Sequence, residues 1–294
     1  MSAPATKLKP ARPIDRTTRV ADRITTRDAE ILRLLAEHQM LTVGQLATAL
    51  FSDVRKARAR VAVLRALGLV DTFRPPLARG TSPSHCVATS RARTLIAASG
   101  RLDVQPPRRR VGLDAAAIAL RPDLAHLRGA NEVFCQLLGR ARHSPDDSLD
   151  TWRSERTCAR ILAASVKPDG FGRWRSSDAW CEFFLEYDTG TEPHSRLTAK
   201  LDGYADLAES AGVSCSVLFW LPNPTRETNL HQHLRDEPPR VPVATAHGDP
   251  ATCDPAGPIW RPAWSATPER FTLAALGAAA AFHLDVPQRP HILL

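Results

Sequence analysis

Long hydrophobic runs are missing from this 294-residue chain. No stretch approaches the roughly 18 uncharged apolar residues that a membrane-spanning helix needs, so the sequence offers no transmembrane helix and no membrane partner. The N-terminus is polar and Pro-containing and lacks the apolar stretch of a secretory signal, which reads as a cytoplasmic protein. Paired cysteines are missing too. Cys86, Cys135, Cys158, Cys181, Cys215 and Cys253 stand singly, with no CxxC and no close Cys/His pairing. That spacing argues against a zinc knuckle and fits reduced thiols packed as small hydrophobes. The nearest approach to a metal pair is His231-Gln232-His233, which sits in a Pro-rich stretch without partners and reads as a solvated loop. What is present is 43% hydrophobic content, enough for a sizeable core, over a length that suits two domains.

Charge is unevenly spread. Residues 1–112 carry 21 Lys and Arg against 8 Asp and Glu, whereas the rest carry 18 against 23. A basic first half suits a polyanion, because cationic side chains that neutralise phosphates release condensed counterions. Arg-rich coding bias would give the same counts, so charge alone does not name the partner.

Residues 1–24 have no apolar periodicity and read as a disordered basic arm. A first helix is expected from Thr25 or Thr26, with a Thr N-cap and Asp28 and Glu30 in the first turn; Ile31, Leu34, Leu35 and His38 form its apolar stripe. Thr42 and Gln45 have capping-box spacing and open a second helix, with Leu46, Ala49 and Leu50 inward. Ser52 or Asp53 caps a third, whose inward positions are Val54, Ala57, Val61 and Leu64 and which ends at Gly68. Two short strands follow, at 69–73 and 86–89, around a basic Pro/Gly-containing turn. Over residues 25–100 this order resembles winged helix-turn-helix domains. The resemblance implies that the third helix enters a DNA major groove, with Arg55, Lys56, Arg58 and Arg60 as contacts and Arg74 and Arg79 on the wing. A solvated basic face, or a winged helix used for protein contacts, is the plainer alternative.

Beyond a Pro/Arg linker at 101–113, residues 122–142 have a helical apolar stripe that carries Glu132. Strands are expected over 151–161 and 165–170, the second ending in a turn. The clearest strand is 180–188, with Phe183, Leu185 and Tyr187 on one face and Glu182, Phe184, Glu186 and Asp188 on the other. A helix over 195–211 and a buried strand over 213–221 complete the series. Helix, three strands, helix, strand is the order of the PD-(D/E)xK nuclease core, so 114–221 resembles that superfamily. The resemblance implies that Asp169, after Pro168, and Glu186 hold Mg²⁺, whose waters include the one that attacks phosphorus. Asp188 stands where the superfamily places its Lys, two residues past the acid. Lys200, one turn before Tyr204, is the candidate replacement; Glu132 is a candidate helper, and Asp188 a further metal ligand or a support for one. Each has an ordinary reading: Pro-Asp-Gly is a common turn, Glu186 and Asp188 would suit a solvated strand edge or a partner for Arg196, and a lone Lys snorkels.

At a finer level, KPDG, FFLEYDTGTE and SRLTAKLDGY behind such an N-terminal unit resemble the replication-relaxation family of actinobacterial plasmids and integrative elements. The resemblance covers 25–221 and implies a double-stranded DNA partner and a role in plasmid replication, relaxation or mobilisation, beside other replication or mobilisation proteins. It leaves open a metal-dependent endonuclease, a non-enzymatic regulator on a degenerate nuclease fold, and whether the chain is a monomer or a homodimer. Residues 222–268 show no lasting period and read as irregular; 271–284 suits one closing helix in a Pro-rich extension that runs from 222 to 294.

Overall fold

A computed structural model of the chain describes residues 24–76, 80–98, 115–163, 165–211, 215–265 and 267–284. The expected basic arm before Ile24, the linker at 101–113 and Arg79 lie outside the described residues.

The first part is built as the capping signals require. Helix α1 (Thr26–Glu37) begins in a reciprocal capping box, in which the Thr25 hydroxyl accepts from the Asp28 N–H and Asp28 accepts from the Thr25 N–H. After the two-residue strand β1 (Leu41–Thr42), α2 (Val43–Leu50) repeats the device with Thr42 and Gln45. Asp53 caps α3 (Val54–Ala66), which ends where Gly68 takes a φ of 68°, a conformation that costs glycine little. Ala57, Val61 and Leu64 point inward as the period requires, but Val54 is 40% exposed. It is the first residue of the helix, with Ser52 and Arg55 exposed on either side of it. Strands β2 (Val70–Phe73) and β3 (His85–Ala88) form an antiparallel hairpin, and β1 pairs with β3 on its other side. Helix α4 (Ser90–Ala98) closes this part.

A short α5 (Ala115–Ala119) precedes the long α6 (Leu124–Ala141). Next come β4 (Asp147–Ser154), α7 (Glu155–Ile161), β5 (Gly170–Ser176), β6 (Ala179–Tyr187), α8 (His194–Ala211) and β7 (Ser216–Leu221). Two strand expectations are corrected. Residues 155–161 are helical because Ser154 caps them, its hydroxyl accepting from the Thr157 N–H; the strand lies earlier. Gly170 begins a strand instead of ending one: the Pro-Asp step delivers the chain into β5, which pairs antiparallel with both β4 and β6.

Residues 222–268 are also more ordered than the absence of a period implied. Asn223 caps α9 (Pro224–Asp236) with Pro224 in its first turn, and β8 (Val243–His247) and β9 (Arg261–Pro262) extend the sheet. Helix α10 (Leu273–Leu284) packs on β6. His231 is buried on α9 with Nε2 2.8 Å from Thr245 Oγ1, so it belongs to a helix and not to a solvated loop.

The protein is therefore a mixed α and β structure with a three-stranded sheet, β1-β3-β2, and a six-stranded sheet, β4-β5-β6-β7-β8-β9. In the larger sheet β6, β7 and β8 run parallel and the other pairs antiparallel. Both of its faces are apolar. Trp174, Phe183, Leu185, Leu218 and Trp220 join α6 and α10 on one side, and Phe171, Phe184, Val217 and Phe219 join α8 and α9 on the other.

The first core cluster runs without a break from α1–α3 into α6 and the large sheet. Polar contacts fix the same junction. Gln45 donates to the Arg128 carbonyl at 2.8 Å, Asn131 to that of Met40 at 2.8 Å, and Glu37 accepts from the backbone and hydroxyl of Ser154. His38 stacks on Trp152 with ring centroids 3.5 Å apart.

Candidate active site

Antiparallel pairing of β5 with β6 decides which residues meet. Gly170 lies opposite Leu185, so the chain just before β5 runs beside the end of β6. Asp169 is locked there by two backbone bonds: its N–H donates to the Leu185 carbonyl at 2.9 Å, and its Oδ2 accepts the Tyr187 N–H at 2.7 Å. The next position must be glycine, since a Cβ on Gly170 would lie 2.7 Å from the Phe134 ring.

Glu186 points from β6 toward α8, whose inward stripe of Leu197, Leu201 and Tyr204 places Lys200 one turn before Tyr204. Lys200 Nζ lies 2.6 Å from Glu186 Oε2, and the Tyr204 hydroxyl donates to Oε1 at 2.5 Å. Asp169, Glu186 and Lys200 line one cleft of about 670 Å³, together with His126, Glu155, Lys167, Thr189, Thr191 and Glu192.

The electrostatics of this cleft are those of acids held close together. Burial, and then repulsion from Asp169, raise the Glu186 pKa to about 7 in spite of Lys200 and Tyr204. Burial and Asp169 likewise raise Glu155. Burial works against the charge on Lys200, but the charge and hydrogen bond of Glu186, with Asp169 and Glu192, outweigh it and hold its pKa above the usual range.

The other sequence candidates go elsewhere. Glu132 hydrogen-bonds Gln136 at 2.8 Å on α6 and does not line the cleft. Asp188 does line it, but one oxygen takes the Arg226 Nε at 2.6 Å and the other the Gly190 N–H, so it ties the 188–193 loop to α9. Its partner is thus Arg226 and not Arg196. His126, which the sequence places on or beside α6 with no role in the site, has its Nε2 2.7 Å from Asp169 Oδ1. A histidine two residues into a helix carries no sequence signal of that contact.

The replication-relaxation family model matches residues 32–218, more than half of the chain. This chain belongs to the replication-relaxation family. No curated protein and no solved structure matches it. The matched span of this replication-relaxation protein includes α3, the hairpin and every cleft residue named above.

The donor set in the cleft suits a hard divalent ion held by two carboxylates and water, the usual mode for Mg²⁺. A cation there would relieve the repulsion between Asp169 and Glu186. It does not suit an all-protein cage: among the described residues no group of three or more His, Cys, Asp or Glu side chains is arranged to hold a metal. Asp169 and Glu186 are the residues that would hold it.

In the first part of the chain, α3 exposes Arg55, Lys56 and Arg58. Arg60 turns the other way: its guanidinium pairs with Asp28, a fully buried carboxylate on α1. Arg74 reaches across the hairpin loop to the Ser82 carbonyl at 2.7 Å. Arg58 and Arg74 line a groove of about 500 Å³ with Arg65, which is exposed and sits seven residues after Arg58 on the same helix face. That spacing was readable in the sequence, and Arg65 is the contact candidate it missed.

No helix among the described residues is long and apolar enough to cross a membrane.

Proposed function

We propose that this protein binds double-stranded DNA through a winged helix-turn-helix formed by α1–α3 and the β2–β3 hairpin, and cuts phosphodiesters in the cleft at the end of the large sheet, in the replication, relaxation or mobilisation of a plasmid or integrative element. Arg55, Lys56, Arg58 and Arg65 on α3 would meet phosphates and base edges, with Arg74 shaping the wing. The order α6, β4, β5, β6, α8, β7, with the short α7 inserted, is what a PD-(D/E)xK core requires.

The observation that carries the reading is the meeting of Asp169, Glu186 and Lys200 in one cleft, from the lead-in to β5, from β6 and from α8. A divalent ion held by the two acids would supply a water activated for attack on phosphorus. Asp169 is oriented by the Tyr187 N–H, while Lys200 holds charge on Glu186 and presents a cation to a phosphate oxygen. Lys200 thereby takes the part that Asp188, committed to Arg226, does not.

A second reading has one observation in its favour. All four oxygens of Asp169 and Glu186 already have a donor within 2.7 Å, which suits a regulator that keeps the nuclease architecture for contacts alone. Supercoiled plasmid incubated with the purified chain and Mg²⁺ or Mn²⁺ separates the two: metal-dependent nicking that EDTA stops supports the enzyme, and plasmid left intact under every condition supports the regulator.

A further inference from the structure

We propose that His126 is a positioning residue for the acid pair: its Nε2 holds Asp169 in the orientation that grips a divalent ion. The proposal rests on the metal-dependent reading above and adds a residue that neither the motif pattern nor the family match assigns.

Three observations converge on it. His126 Nε2 lies 2.7 Å from Asp169 Oδ1, while Oδ2 takes the Tyr187 N–H at 2.7 Å, so the carboxylate is held from both sides with a second lone pair left on each oxygen. The imidazole is itself fixed. It stands edge-on to the Tyr187 ring, with centroids 5.7 Å apart and planes at 89°, and Tyr187 closes over the backbone of α6 at Gly129, where a Cβ would meet its ring. His126 also faces the cleft, its side chain one-third exposed, unlike a histidine that merely fills a core.

The cleft thus has two matched supports. Lys200 and Tyr204 hold Glu186 from α8, and His126 holds Asp169 from α6. Hydrogen-bond partners of ligating groups set ligand orientation, and their loss typically weakens metal binding by about 10–100-fold.

Calorimetric titration of the full chain with Mn²⁺ tests this, with Asp169→Ala as the reference for loss of a ligand and thermal melting as the check on folding. His126→Ala should weaken Mn²⁺ binding about 10–100-fold. His126→Asn, too short to reach, should repeat the loss, and His126→Gln, whose amide nitrogen falls near the place of Nε2, should recover most of it. Wild-type affinity in the Ala and Asn variants, or a Gln variant as weak as Ala, overturns the positioning role and leaves the nuclease reading standing. A wild-type chain that binds no Mn²⁺ and nicks no plasmid overturns both.

Discussion

Lys200 Nζ lies 2.6 Å from Glu186 Oε2, although the two residues come from a helix and a strand that the sequence joins through a loop. The contact puts a cation beside Glu186, the more buried of the candidate metal-holding pair Asp169 and Glu186. Glu186 is 2% exposed, and among the described residues its other side-chain donor is the Tyr204 hydroxyl.

Replacing Lys200 with Met should therefore do two things. An acceptor stripped of its charged partner costs about 1–3 kcal/mol, read as a lower midpoint in urea at pH 8. Nicking should fall on the order of 100-fold, the scale for loss of one charge-stabilising donor. Unchanged stability together with unchanged nicking would separate Lys200 from the site.

Glu186 also sets a pH dependence. Its folded pKa of about 7 lies above the usual carboxylate value of 4.5. Between those values the native state keeps a proton that the unfolded chain has lost, so stability falls as pH rises, by up to about 1.4 kcal/mol per unit. Glu186→Gln removes this loss. In EDTA, its stability relative to wild type should rise from pH 4.5 to 7 and level off above. Parallel curves across that window would contradict the raised pKa.

Arg60 and Arg58 sit two residues apart on α3 and should behave oppositely. Burial pushes the Asp28 pKa up, but hydrogen bonds from Arg60 and Thr25 and the charge of Arg60 prevail and hold it below the usual range. This stabilisation is present above pH 3.8 and is lost as pH falls. Arg60→Met leaves a buried carboxylate without its counter-charge and should cost roughly 3–5 kcal/mol in urea unfolding at pH 7. Arg58→Ala should change stability by less than about 0.5 kcal/mol. On DNA, it should lower the slope of log affinity against log salt by about 1. Gel shifts across a salt series check the second half; an unchanged slope would take Arg58 out of the interface.

The sequence was most legible where local chemistry decides structure. Capping at Thr25, Thr42 and Asp53, the stripe of α6 and the alternation of β6 are short-range signals, and each element formed where they placed it. Legibility failed where tertiary pairing decides. β8 reads Val-Ala-Thr-Ala-His, five residues with only one large apolar side chain, yet the sheet buries it on both faces. Arg60 looked like one more cation on a basic helix, since nothing within α3 reveals a buried acid 32 residues earlier. Around the cleft, residue type and element order named Asp169, Glu186 and Lys200, which the structure brings together. His126 and Arg226 were not named, because each is brought in by packing of a helix far away in sequence.

His38 offers a test of the junction between the two parts of the chain. It is 1% exposed and stacked on Trp152, and among the described residues neither ring nitrogen has a hydrogen-bond partner. Burial drives its pKa down to about 3, so it is neutral at physiological pH. An apolar ring should serve better: His38→Phe is expected to raise stability by roughly 1–2 kcal/mol, the cost of burying an unpaired polar group. A destabilised variant would mean that the ring nitrogens do more than fill space.

Asp169 and Glu186 are proposed to act as one metal-gripping unit. The most direct test compares Mg²⁺-dependent nicking of supercoiled plasmid by wild type, Asp169→Ala, Glu186→Ala and the double variant. Groups that act together are grossly non-additive, so each single variant should lose as much activity as the double. Single variants that nick at the wild-type rate, or losses that multiply in the double variant, would contradict it.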